Sequence, residues 1–114
     1  MIGKAKKPIR LIVGATYTTV TAGSSPVLQV RAPQWAKKLR AVYCDSNFAG
    51  LLTVKSRSAN QEFISQASLQ IAQHPYYILD RVIPLNDYLD VTFNNNSAST
   101  ITTTTVNFEF TDEE

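Results

Sequence analysis

The chain has 114 residues, a formal net charge of +2, 44% apolar residues and 18% charged residues. This balance excludes a disordered chain, and the lack of any run of 18 apolar residues excludes a membrane-spanning helix. One cysteine, Cys44, and one histidine, His74, exclude an intrachain disulfide and an all-cysteine zinc site. No cofactor motif is present: Gly3, Gly14, Gly23 and Gly50 are isolated and form neither a phosphate loop nor a dinucleotide fingerprint.

The charges are unevenly placed. Lys4, Lys6, Lys7 and Arg10 crowd the first ten residues, and Glu109, Asp112, Glu113 and Glu114 the last six. Residues 1–7 read as a basic, flexible tail, 8–111 as one β-sandwich domain, and 112–114 as an acidic end. Three roles stay open for the basic start: a solvated tail, a contact with an acidic protein surface, or nucleic acid binding. The head and tail have opposite signs, so they can also meet, within one chain or between neighbours. No secretory signal is read, because the apolar stretch Ile9–Ala15 is short, carries Arg10 and leads into threonines.

In chain order, Ile9–Val13 reads as a first strand and Tyr17–Thr21 as a second. Ala22 to Pro26 is a turn, followed by a strand over Val27–Arg31 that Pro33 ends. Lys38–Cys44 is the next strand, with Leu39, Ala41 and Tyr43 on one face, and Leu51–Lys55 is expected to pair with it as a hairpin. Residues 60–73 are ambiguous between helix and strand. Ser58 and Gln61 have the spacing of a weak capping box, whereas Ser65, Ala67, Leu69 and Ile71 alternate. A helical turn followed by a strand over 66–72 is favoured. Tyr76–Arg81 follows, then a turn over Ile83–Asp87. Tyr88–Phe93 is the cleanest half-buried strand, with Leu89, Val91 and Phe93 on its apolar face. Thr100–Phe110 closes the chain, with Val106, Phe108 and Phe110 facing one way and Ile101, Thr103, Thr105, Asn107 and Glu109 the other.

Seven to nine short strands, almost no helix and no βαβ spacing predict an all-β fold. The pattern fits a small antiparallel β-sandwich or barrel, and two sheets of about four strands would hide their apolar faces against one another.

The chemistry-bearing residues are few. His74 has no carboxylate nearby in sequence, and Cys44 ends an apolar strand, so both read as structural before they read as a nucleophilic pair. Asp80, Asp87 and Asp90 suggest a weak calcium set without an EF-type loop; Asp87 reads as a turn residue. Asn95-Asn96-Ser97 is a formal glycosylation sequon. Trp35 stands beside Lys37 and Lys38, and Tyr76 and Tyr77 flank a turn. Such aromatics either pack or stack on a base or sugar. Thr103 and Thr105 lie in the run TITTTT, whose hydroxyl-rich face suits either solvent or a subunit contact that desolvates little charge.

The run RVIPLNDYLDVTFNNNSAST and the closing ITTTTVNFEF, with the many short strands, resemble small jelly-roll structural proteins of viruses and phages, of the minor capsid, turret or decoration type. The resemblance spans residues 8–111. It implies a non-enzymatic protein without cofactor or metal, found in the virion or in the host cytoplasm before assembly. The implied partners are further copies of the chain or other capsid proteins, with nucleic acid as a weaker partner and no membrane span. Candidate contact residues are then Lys4, Lys6, Lys7, Trp35, Lys37, Lys38, Tyr76, Tyr77, Thr103 and Thr105. The competing expectation is a carbohydrate- or nucleic-acid-binding sandwich with Trp35 and some of Tyr17, Tyr43, Tyr76, Tyr77 and Tyr88 on one exposed face, joined for nucleic acid by Lys37, Lys38, Lys55 and Arg57 on the same side.

Overall fold

The structure is a computed structural model that describes residues 9–44, 50–68 and 76–113. Eight strands are formed: β1 (Arg10–Val20), β2 (Val27–Arg31), β3 (Lys38–Cys44), β4 (Leu51–Ser56), β5 (Gln61–Ser68), β6 (Tyr76–Val82), β7 (Tyr88–Asn94) and β8 (Ile101–Thr111). They make two antiparallel sheets of four, ordered β1-β8-β3-β6 and β2-β7-β4-β5. Every pairing of strands 1/8, 2/7, 3/6 and 4/5 is present. That nesting is a long antiparallel ribbon rolled onto itself, the jelly-roll order. The expected sandwich is therefore formed.

Alternation decides which side chains fill the interior. In β7 the odd residues Leu89, Val91 and Phe93 are fully buried and the even ones face outward; β4 buries Leu52, Val54 and Ser56 in the same way. The opposite sheet contributes Ala15, Tyr17, Leu39, Val42, Val106, Phe108 and Phe110. Burying each large apolar side chain contributes roughly 1.5–3 kcal/mol.

Several local expectations differ from the structure. The first two predicted strands are one strand of 11 residues. β3 and β4 are not a hairpin. β3 lies in the first sheet between β8 and β6, and β4 in the second between β7 and β5. The faces of β3 also differ, because its register shifts between Leu39 and Ala41. Arg40 is the extra residue of this bulge against β8, so Val42 joins Leu39 in the core cluster; Ala41 is also fully buried, whereas Tyr43 is only half-buried. No helical turn starts residues 60–73: β5 is extended from Gln61, and Asn60 takes the positive φ of the preceding turn rather than a helical one. Residues 69–75 lie outside the described residues. The faces of β8 are as expected, although Thr103 has φ 28° and forms no ladder pair, while its neighbour Thr104 lies opposite Tyr17. Thr104 turns inward and is buried while Thr103 is exposed.

Two glycines meet backbone demands. Gly23 has φ 78° in the β1–β2 turn, and a Cβ on Gly50 would lie 2.5 Å from the Asn94 carbonyl oxygen.

Two buried polar side chains tie the loops, one at each end of the sandwich. Asp87, fully buried, accepts a hydrogen bond from the Ser56 hydroxyl and another from the Ser58 amide at 3.0 Å. Its carbonyl accepts the Ala32 amide at 2.9 Å. The β2–β3, β4–β5 and β6–β7 connections are thus joined at one point. At the far end Asn95, also fully buried, donates from its amide to the carbonyls of Val20 (3.0 Å) and Ser99 (2.9 Å). Its side-chain oxygen accepts from the Ser97 amide and hydroxyl. Its backbone exchanges hydrogen bonds with Gly23 and Ser24, which locks the β7–β8 loop to the β1–β2 turn. All four hydrogen-bonding positions of the Asn95 side chain are used, so the sequon nitrogen is committed inside the fold.

Truncating either hub leaves buried donors or acceptors unpaired. Asp87→Ala and Asn95→Ala are each expected to cost about 2–3 kcal/mol, a fall in Tm of roughly 10 °C for a chain of this size. Urea and thermal unfolding measure both, and a loss below about 0.5 kcal/mol, the range of an ordinary surface change, would contradict the assignment.

Tyr17 supplies a pH test. Its hydroxyl donates to the Val91 carbonyl across the sandwich, and its ring meets Phe93 edge-on at 5.3 Å. Burial pushes its phenol well above the ordinary value of 10.0, and the Leu28 backbone offsets this only in part. The folded state thus holds the proton more tightly than the unfolded chain. The stability this contributes is whole below pH about 10 and declines as pH rises above it. Tyr17→Phe should cost about 1 kcal/mol at pH 7, and the gap between wild type and variant should narrow when urea unfolding is repeated above pH 10.

Candidate functional site

The start of β1, the end of β8 and three loop connections converge at one end of the sandwich. The Lys37 amide donates to the Thr111 carbonyl (2.9 Å), and the Ile83 amide to the Lys37 carbonyl (3.0 Å). These bonds set the β2–β3 and β6–β7 loops against the end of β8. A hollow of about 360 Å³ opens between them, lined by Ala36, Lys37, Lys38, Val82, Ile83 and Leu85. Ala36 and Ile83 form its buried floor. Val82 is 72% exposed and Leu85 74%, the most exposed of the large apolar side chains described. Both follow from the local sequence: Val82 ends β6, and Leu85 is carried outward by the turn in which Asn86 has positive φ. Trp35 is half-buried and packed against the core beside this end, so its ring serves packing.

The residues flanking the start of β1 and the end of β8 meet at the same end. The Ile9 amide donates to the Asp112 carboxylate at 2.7 Å, and Asp112 returns a backbone bond to the Ile9 carbonyl at 3.2 Å. Arg10 stands 3.9 Å from Glu113, both about half exposed. Such a pair contributes little by itself; the two Ile9–Asp112 hydrogen bonds hold the start of β1 to the end of β8.

The outer faces of the two sheets differ. On the first, Arg40 projects from its bulge between Glu109 (3.5 Å) and Asp80 (3.6 Å), across three strands. Thr105 shares this face and its hydroxyl meets that of Thr16 at 3.0 Å. On the second, the guanidinium groups of Arg31 and Arg57 lie 5.7 and 5.5 Å from the centre of the Tyr88 ring, within cation–π range. Arg57 is also paired with Asp90 at 2.9 Å. The sequence named Tyr88 and Arg57 among the aromatic and basic candidates for a binding face, but not Arg31 or its place beside the Tyr88 ring. The register that puts Arg31 opposite Tyr88 depends on β2–β7 pairing between residues 57 positions apart.

The residues proposed from sequence are therefore scattered. Lys37 and Lys38 border the hollow with Trp35 nearby, whereas Thr103 and Thr105 belong to β8. Tyr17 is in the core, Tyr43 is on β3 and Tyr88 is on β7, so these tyrosines form no common platform. Asp80 faces Arg40, Asp87 is the buried loop hub and Asp90 pairs with Arg57, so the three carboxylates serve three separate places. Among the described residues no cluster of three or more histidine, cysteine or acidic side chains stands ready for a metal, and no helix is long and apolar enough to cross a membrane. Lys4, Lys6, Lys7 and His74 lie outside the described residues, as do the side chains of Cys44, Tyr76 and Tyr77. No family model, curated protein or solved structure matches the chain.

Proposed function

We propose that the chain is a non-enzymatic structural protein of a virus or phage particle, acting through self-assembly or attachment to a capsid. The observation that carries this reading is the hollow at the end where β1 begins and β8 finishes. Its rim presents two aliphatic side chains, Val82 and Leu85, largely to solvent. Exposed aliphatic groups around a concave patch, with cationic neighbours, fit a protein contact better than free surface. The jelly-roll order supports the reading at the level of analogy, since that order serves capsid proteins and also lectins and cupins. The described interior is filled by Phe93, Phe108, Phe110 and aliphatic side chains, which fits a packing unit better than a ligand-holding barrel. The competing reading, a carbohydrate- or nucleic-acid-binding module, draws its support from the Tyr88 ring with Arg31 and Arg57 rather than from Trp35.

Light scattering behind a sizing column, at physiological salt, tests the reading. The expected result is a defined mass above the 12.6 kDa monomer that falls in Val82→Ser/Leu85→Ser, while Tm stays within a few degrees because both side chains are at the surface. A monomer throughout, together with single-stranded nucleic acid binding that weakens steeply with salt and is lost in Arg31→Ala/Arg57→Ala, would overturn it in favour of the binding module.

A further inference from the structure

A sandwich has four edge strands, and each exposes unpaired backbone groups that can recruit another strand. Here β6 and β1 border the first sheet, β5 and β2 the second. Three of the four carry features that blunt such recruitment. β6 has Asp80 at φ 49°, a register shift opposite Arg40, and two adjacent charges, Asp80 and Arg81. β5 has Gln66 at φ 47°, two register shifts and Glu62. β2 has only five residues, carries Arg31, and is bracketed by Pro26 and Pro33.

β1 has none of these protections. It runs for 11 residues, Arg10–Val20, with no proline and no charge after Arg10. No residue in it has positive φ, and its ladder with β8 keeps one register, interrupted only at Thr18 opposite Thr103. Among the described residues, no backbone group pairs with its other edge between Leu11 and Thr19. Its outward side chains are Ile12, 52% exposed, then Gly14, Thr16 and Thr18, a neutral row.

We propose that β1 is an assembly edge that pairs antiparallel with β1 of a second copy of this chain, across a twofold axis at Ala15. This rests on the assembly reading above, names its partner and adds the β1 edge as a second contact in addition to the Val82–Leu85 hollow. Centring on Ala15 pairs the whole strand with itself. Arg10 then faces Val20, Ile12 faces Thr18, and Gly14 faces Thr16, with no like charges opposed. A twofold interface must be self-complementary in this way. The two first sheets become one continuous sheet of eight strands with the β1 pair at its centre, the strand-addition mode of recognition. A charged partner strand would find no complement along the neutral row from Leu11 to Val20, whereas a second β1 fits it.

Two double variants test the pairing by light scattering, with far-UV circular dichroism as the check on folding. Ile12→Lys/Thr18→Lys sets lysine against lysine twice across the axis, and the mass is expected to fall at least twofold. Ile12→Lys/Thr18→Glu sets lysine against glutamate at the same places, and the wild-type mass is expected to return. This second variant keeps the Ile12→Lys change, so its recovery cannot be an effect of misfolding. A wild-type mass retained by the double-lysine variant would overturn the β1 pairing while leaving assembly through another surface standing. Loss of mass in both folded variants would overturn the Ala15 register. A wild type that is monomeric at high concentration would overturn self-pairing altogether and leave attachment to a preformed capsid as the form of the assembly reading.

Discussion

The structure depends on one constraint: β8, the last strand, must enter between β1 and β3. Phe108 illustrates it. Its backbone pairs with Val13 on one side and Val42 on the other, while its side chain is fully buried between the sheets. Until β8 is in place, β1 has no partner in its sheet, and β3 has only β6. Ladder pairing is therefore mostly between residues far apart in sequence, with the β4–β5 pair and its short turn the most local. Closing such long loops costs chain entropy before the contacts repay it, so folding should be slow for a chain of this length.

The two polar hubs follow from the same rolling. Bringing distant strands together also brings distant loops together, and buried loop backbone must find partners. Asp87 does this for the connections at the terminal end, and Asn95 does it at the other. Each uses a short polar side chain whose hydrogen bonds are all made inside the protein, and among the described residues no buried side-chain nitrogen or oxygen is left without a partner. Loops held so firmly can present Val82 and Leu85 in fixed positions, which connects the packing of the loop ends to the surface proposed for assembly.

Much of the fold is legible in the sequence where a strand is central and buried on one face. The alternation of Leu89, Val91 and Phe93 located β7, and that of Val106, Phe108 and Phe110 located β8. Edge and bulged strands were harder. β5 faces water along Gln61, Glu62, Ser65 and Gln66, so its alternation was weak and a helical spacing competed. In β3, one extra residue at Arg40 inverted the faces beyond it, which a strict period of two does not anticipate. The expected β3–β4 hairpin followed the rule that neighbours in sequence pair; here the chain crosses from one sheet to the other instead. The candidate site was less legible still. Lys37 and Lys38 were singled out, but Val82 and Leu85 looked like ordinary strand-end and turn residues. The Tyr88 cluster depends on a pairing between distant strands that no local motif encodes.

The most direct test of the account is a nuclear Overhauser spectrum of isotope-labelled protein, read for backbone contacts across β8. The account predicts that Phe108 contacts Val13 on one side and Val42 on the other, with the same register continuing through Val106 to Ala15 and Cys44. Contacts running instead between β8 and β7, as in a simple hairpin closed over residues 95–100, would contradict the rolled order and every surface derived from it.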